Sequence, residues 1–383
     1  MQMRKLFLAL AGSALALSMS AQAQVKVGVM SSATGPVAFV GIPQKNSIAM
    51  LPKKVGDTSI EYIYFDDASD PTQSVQLIRK LLSENKIDAL IGPSGSSNVM
   101  GLIGFLAEAQ TPALAPVGTP AAVLPMDDKK RWIFKTHPND DVMAEVLVEN
   151  MQKRGVKTLA FIGYSDPYGE SWYKAFVPMA EKIGIQVVAN ERYARTDTSV
   201  IGQVVKILGA KPDAVLIAGV SAGAVPPQEG LVEKGYKGLI YHTHGSSAGD
   251  FIKIGKRNVE GALIAASIML VTDELPDSNP SKKIAAGYVG AYEKAYGAKP
   301  PIFGAGVFDA GLMLEKAIPE AIKKAKPGTV EFRVALRDAL EATKNLVVSQ
   351  GVINMTPSDH AGFDSRSRVL VTVKDGRFTL VRD

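Results

Sequence analysis

Two of the four histidines in this 383-residue chain, His242 and His244, stand two apart in the stretch YHTHGSS. Such a pair offers two metal ligands, with His137 or His360 as a third. No carboxylate or thiolate stands beside it, which makes it a poor metal site. Gly219-Val-Ser-Ala-Gly223 has the spacing of a hydrolase nucleophile elbow, and Ser221, Asp359 and His360 follow in a hydrolase triad order. Pro226 and Pro227 stand where the elbow needs a tight helix to begin. Asp359 and His360 are chain neighbours, which are badly placed to orient one another as a triad requires. A third stretch, Ile91-Gly-Pro-Ser-Gly-Ser-Ser-Asn98, joins the end of an apolar run to the start of a helical pattern. Small residues there leave backbone N–H groups and serine hydroxyls at a helix N-terminus, where the macrodipole favours an anion. Thr119, at the end of the next strand, is expected to face the same point. A plain capping role for Ser96 and Ser97 is compatible with this.

The elements that position these residues alternate. Short apolar runs at 25–30, 60–67, 88–92 and 112–116 read as buried parallel strands. An amphipathic stretch at 70–85 lies between the second and third, with Asp70 as its N-cap and Pro71 at the first helical position. The rhythm restarts at 156–163 and continues through strands at 185–193, 213–219 and 239–243. Two successive βαβα blocks predict an α/β fold of two doubly wound lobes rather than one large sheet. Helical stretches at 281–297, 304–325 and 331–343, and a hairpin turning at Asp375-Gly376, lack a sheet of their own. They must pack on the earlier lobes, so the chain crosses between lobes more than once. We expect lobe 1 to hold 24–138 and 272–355, and lobe 2 to hold 139–271 and 356–383. Ligands of open α/β sheets bind beyond the carboxyl ends of the strands. Those ends are Ser31–Thr34, Ser94–Asn98, Val117–Thr119, Ser165–Tyr168, Val220–Ser221 and His242–Ser246.

Composition limits the functions available. A formal charge of +5, without basic runs interleaved with aromatics, gives no nucleic-acid footprint. With no cysteine, disulfides, thiolate metal sites and cysteine nucleophiles are excluded. No Walker loop or dinucleotide glycine fingerprint is present, and no cofactor is expected. Arg4 and Lys5, an apolar run to about Met19 and Ala21-Gln-Ala23 describe a secretory signal peptide over residues 1–23, cleaved after Ala23.

VKVGVMSSATGPVAFVG, FDDASDPTQSVQLIRKLLSENKIDALIGPSGSS, TPALAPVGTPAAVL and YSDPYGESW together resemble the periplasmic substrate-binding proteins of branched-chain amino acid ABC transporters, from about residue 25 to the C-terminus. The resemblance implies a type I periplasmic binding fold with three hinge crossovers that closes on its ligand. It also implies a membrane permease as partner, a periplasmic location, a monomer and no enzymatic activity. It places the ligand carboxylate on Ser96 with Val117, Gly118 and Thr119, under a closing Tyr168.

The departures from the family pattern concern the other end of the ligand. Where the family has a glutamate–glycine pair for an ammonium, this chain has His244-Gly245. Family tyrosines fall on Val40 and Val220, and Phe39 and Phe303 add apolar area. A buried ammonium without a counter-charge is costly. The expected ligand is therefore a hydrophobic or aromatic carboxylate of the benzoate type, with His244 donating to a ring substituent or second oxygen. A branched-chain amino acid remains an alternative, with Asp166 substituting for the glutamate. A Ser221-dependent hydrolase and a receptor-coupled sensor are the other readings.

Overall fold

The computed structural model describes residues 24–382, so the expected signal peptide and its cleavage point lie outside the described residues. The first sheet contains β1 (Gln24–Ser31), β2 (Lys54–Val55), β3 (Thr58–Asp66), β4 (Ala89–Ile91), β5 (Ala113–Ala115) and β6 (Ile133–Lys135), in the order β2-β3-β1-β4-β5-β6. All neighbours are parallel except β2, which pairs antiparallel with β3. The second sheet takes up β7 (Thr158–Tyr164), β8 (Gln186–Tyr193), β9 (Ala214–Ala218), β10 (Leu239–His242) and β11 (Leu263–Ser267). β12 (Leu346–Val348) and β13 (Gly351–Ile353) form a separate two-stranded ladder. The closing hairpin of β14 (Arg368–Lys374) and β15 (Arg377–Leu380) joins the second sheet, whose order is β15-β14-β11-β10-β9-β7-β8. Both doubly wound lobes expected from the alternation are present.

The helices cover the sheets with apolar faces. They are α1 (Ala38–Ser47), α2 (Pro71–Lys80), α3 (Ser96–Glu108), α4 (Asp140–Lys153), α5 (Pro167–Lys182), α6 (Ile201–Ala210), α7 (Val225–Glu233), α8 (Gly249–Gly255), α9 (Lys282–Tyr296), α10 (Ala305–Ile322) and α11 (Val330–Glu341). Asp70 caps α2 as expected, accepting from Thr72 N at 2.7 Å, with Pro71 at N1. Val307, Met313, Leu314, Phe332 and Leu336 of α10 and α11 share one buried cluster with Val25, Val27 and Val29 of β1. The chain therefore returns to the first lobe after β11, and leaves it once more for the hairpin. This last crossing comes later than the expected boundary at 356. His360 stacks on Phe134 at 4.2 Å, and its Nδ1 donates to the Ile133 carbonyl at 3.0 Å, so it stays with the first sheet. The chain crosses at Asp364–Arg368 to reach β14.

One buried carboxylate organises the strand ends of the first lobe. Asp67, fully buried just past β3, accepts from Ser32 Oγ at 2.6 Å and Ser69 N at 3.1 Å through Oδ1. Its Oδ2 accepts from Ser74 Oγ at 2.8 Å and Asn98 Nδ2 at 2.9 Å. These donors come from the loop after β1, from α2 and from the first turn of α3. Replacing Asp67 with Ala removes three side-chain bonds to a carboxylate, each contributing about 1.5–3 kcal/mol. It leaves Ser32 Oγ unpaired, while Ser74 Oγ keeps the Asp70 carbonyl and Asn98 Nδ2 keeps Ser74 Oγ. Asp67→Ala is expected to lower unfolding stability in urea by at least about 3 kcal/mol. A loss within about 0.5 kcal/mol, the range of an ordinary surface change, would show that the network carries no stability.

Candidate functional site

The carboxyl ends of the two sheets face one another across a cavity of about 90 Å³. A single water needs roughly 10–15 Å³, so the space fits a small organic molecule. From the first lobe it is lined by Val40, Ser96, Val117, Gly118 and Phe303, and from the second by Tyr168, Val220, His244 and Gly245. Nine of the eleven expected residues are thus brought to one place.

Two are not. Thr119 is buried, but its Oγ1 accepts from Ala121 N at 3.3 Å and starts a short 3₁₀ turn, facing an outer crevice instead of the cavity. Phe39 stands behind Phe303, edge to face at 6.1 Å between centroids, and supports that wall without lining it.

Helix dipoles differ on the two sides. α5 begins at Asp166, whose Oδ1 accepts from Tyr168 N at 2.9 Å and Gly169 N at 3.1 Å, so this N-terminus carries its own carboxylate. α3 begins after Gly95 with no side-chain cap, leaving the first-turn N–H groups available. Ser96 Oγ, the first hydroxyl of that helix, makes no hydrogen bond within the protein and borders the cavity. Neighbouring Ser94 is already engaged, donating to Gln44 Oε1 at 2.5 Å and accepting from Ser32 N at 2.9 Å. The free anion-binding groups of the first lobe are therefore Ser96 and the turn it opens.

Opposite them, Tyr168 provides a wall. Thr243 Oγ1 donates to the Gly219 carbonyl at 3.2 Å, so it accepts the Tyr168 hydroxyl proton at 2.8 Å. Burial pushes the phenol pKa up and keeps it protonated. Backbones approach closely here, and two glycines permit it. A Cβ on Gly118 would overlap Asp140 Oδ1 and lie 2.9 Å from His244 Cε1. A Cβ on Gly245 would overlap the Tyr168 hydroxyl and lie 2.8 Å from the Gly219 carbonyl.

The two histidines of the opening stretch separate. His242 is fully buried and satisfied, with Ser246 Oγ 3.0 Å from Nδ1 and Gln228 Oε1 2.5 Å from Nε2. Gln228 Nε2 donates to the Asn258 carbonyl, so Gln228 Oε1 accepts and His242 carries its proton on Nε2. Its role is structural. Among the described residues no cluster of three His, Cys, Asp or Glu is arranged to hold a metal. His244 borders the cavity, and burial, with smaller contributions from His137 and Lys135, lowers its pKa to about 3. The ring is neutral at physiological pH. Its Nδ1 lies 3.9 Å from Asp140 Oδ1, and both atoms are buried without a hydrogen bond. Burial raises the Asp140 pKa, and the Lys135 ammonium opposes that shift. Lys135 Nζ donates to the Gly118 carbonyl and Asn139 Oδ1, each at 2.5 Å; burial lowers its pKa, and the Asp140 carboxylate opposes that shift. The neutral imidazole keeps one donor and one acceptor nitrogen, so the donor role expected for His244 is compatible with this geometry.

Sequence reading missed Gln350 and Arg195, which also line the cavity, as does His137, weighed there only as a third metal ligand. Gln350 Nε2 donates to the Thr136 carbonyl and Asp309 Oδ2, both at 2.9 Å, so its Oε1 accepts from His137 Nδ1 at 2.5 Å. Arg195 pairs with Asp166 Oδ2 at 2.6 Å. Asp166 is thereby fully engaged, and it does not border the cavity. Ser221 lies at φ 49°, strained like an elbow residue, but its Oγ is buried without a partner. His360, its expected base, belongs to the first sheet. No triad forms.

The family described as periplasmic binding protein matches the chain over residues 24–377. The structure superimposes with a TM-score of 0.90 on an extracellular ligand-binding receptor from Rhodopseudomonas palustris HaA2, at 45% identity, covering 94% of this chain and all of that one. A leucine binding protein from Thermotoga maritima MSB8 shares the fold at a TM-score of 0.80 and 20% identity, covering 94% of this chain and 98% of that one. A leucine-, isoleucine-, valine-, threonine- and alanine-binding protein from Pseudomonas aeruginosa is 24% identical over half of this chain and 52% of its own length. The chain spans about half the length of the curated relatives it matches.

The buried His244 leads to a stability prediction. An unfolded histidine takes a proton near pH 6.5, whereas His244 in the fold takes one only near pH 3. The unfolded state therefore binds more protons in that window, and stability falls as pH drops, by up to about 1.4 kcal/mol per unit. The urea stability of the wild type relative to His244→Gln should decline steadily between pH 7 and pH 4. A difference independent of pH would show that the ring is not held neutral.

Proposed function

The chain belongs to the periplasmic binding protein family, and from that premise we propose that it is the extracytoplasmic solute-binding component of an ABC importer. Its ligand is a small hydrophobic or aromatic carboxylate, enclosed between the lobes and presented to a membrane permease in the closed form. The observation that carries this reading is the charge of the cavity. Among the described residues, no aspartate or glutamate lines it, whereas an uncapped helix N-terminus, a free serine hydroxyl and an arginine do. An anion entering this space meets dipoles and donors. An ammonium would be desolvated without a counter-charge, at a cost of several kcal/mol.

The lining supports the same class of ligand. Val40, Val220, Phe303 and Met143 form apolar walls, and the neutral imidazole of His244 suits a polar substituent on a ring. Amino acids are the ligands named for the Thermotoga and Pseudomonas relatives. For this chain that reading needs another residue to hold the ammonium, and the candidate Asp166 is committed to Arg195 and to the α5 cap. The described residues contain no helix long and apolar enough to cross a membrane. Family membership supports periplasmic residence, and delivery to a permease is part of the proposal.

Thermal-shift and calorimetric titrations test the reading. Benzoate and related hydrophobic acids should raise the melting temperature, and leucine and valine should leave it unmoved. Stabilisation by leucine alone would replace this proposal with amino acid binding. Ser96→Ala should weaken benzoate binding roughly 10- to 100-fold, the value of a hydrogen bond to a charged group. Thr119→Ala, whose hydroxyl only caps a turn, should bind within about threefold of wild type.

A further inference from the structure

We propose that Arg195 is a ligand-anchoring residue, whose two unpartnered guanidinium nitrogens grip an oxyanion of the bound acid from the second lobe. The inference rests on the reading of the cleft as an acid-binding site and adds a second, cationic half to it. Arg195 is the one permanently charged side chain lining the cavity among the described residues. Its Nε donates to Asp166 Oδ2 at 2.6 Å, and neither Nη1 nor Nη2 hydrogen-bonds within the protein. The guanidinium lies over the Tyr164 ring at 4.2 Å and 5.9 Å from the Tyr168 ring. Asp166 is itself fixed by two backbone N–H groups of α5. The side chain, still 27% exposed, is thus anchored through Nε and stacked on one face, and it borders the cavity with Nη1 and Nη2 uncommitted.

That is the geometry in which arginine recognises a carboxylate in bidentate fashion. A charge that served only to pair with Asp166 would need no opening onto the cavity, and a lysine would serve that purpose as well. Because Ser96 is on one lobe and Arg195 on the other, an anion held by both can be fully liganded only when the lobes are together. Ligand charge and closure are thereby coupled: an acid gains the second set of bonds on closing, and its neutral analogue does not.

The test compares benzoate with benzamide, which has the same ring without the charge. Affinities are measured by calorimetry for wild type, Arg195→Gln and Arg195→Lys, with ligand-free melting temperatures as a control. Arg195→Gln should weaken benzoate binding on the order of 10- to 100-fold and benzamide binding by less than about threefold. Arg195→Lys, which retains a partner for Asp166 but not the fork, should recover only part of the benzoate affinity. Equal losses for acid and amide, or full recovery by lysine, would reduce Arg195 to a structural partner of Asp166 and overturn the inference. Undiminished benzoate binding in Arg195→Gln would overturn it while leaving the acid-binding reading intact. If wild type binds no benzoate, the acid-binding reading fails, and the inference fails with it.

Discussion

The buried carboxylate of Asp67 determines where the first-lobe half of the site can be. It binds the loop after β1, α2 and the first turn of α3 to one point at the end of β3. Charge-assisted bonds in a dry environment are short and directional, so the start of α3 is held in register with the strand ends beside it. The helix can then leave its own N-terminus uncapped, because its position is set from the side by Asn98. An N-cap carboxylate such as Asp166 fixes a helix equally well, but it consumes the dipole. The two lobes use these two solutions, so the first lobe leaves a helix dipole uncapped beside the cavity and the second does not.

Much of this architecture was legible in the chain. Runs such as VKVGVM and DALIG have the length and apolarity of buried parallel strands, and the Asp70-Pro71 start of α2 folds as read. The strands that went unread are β2, β6, β11 and the β12–β13 ladder. β6 has three residues, one of them the fully buried Lys135, and no local pattern anticipates an ammonium satisfied by the Gly118 carbonyl after β5 and the Asn139 side chain. β11, with the sequence LIAAS, is too short and alanine-rich to be distinguished from a buried helical turn.

The site was legible to the extent that it is made of strand ends. Ser96, Gly118, Val220 and His244 are where the carboxyl-end rule places them. Thr119 misled because a threonine before a proline has a local use, capping the turn it begins, that competes with facing the cavity. Arg195 went unread for the opposite reason. It follows the edge strand β8 in an exposed loop, and only its stacking on Tyr164, a residue of another strand, carries the guanidinium into the cleft. That placement is tertiary and leaves no signature in neighbouring residues. The histidine pair shows the same limit: a shift from strand to 3₁₀ turn between His242 and His244 sends one ring into the core and the other to the cavity.

The two glycines of the cleft, Gly118 and Gly245, have a consequence for how such a protein can change over time. Each holds backbone against side chains of a neighbouring segment so closely that any larger residue would force the surroundings apart. The frame around the ligand therefore tolerates almost no substitution. The walls at Val40, Val220 and Phe303 tolerate many, because their outer atoms end in the cavity. A lineage carrying this fold can move to a new ligand by exchanging a few wall residues while the frame stays as it is.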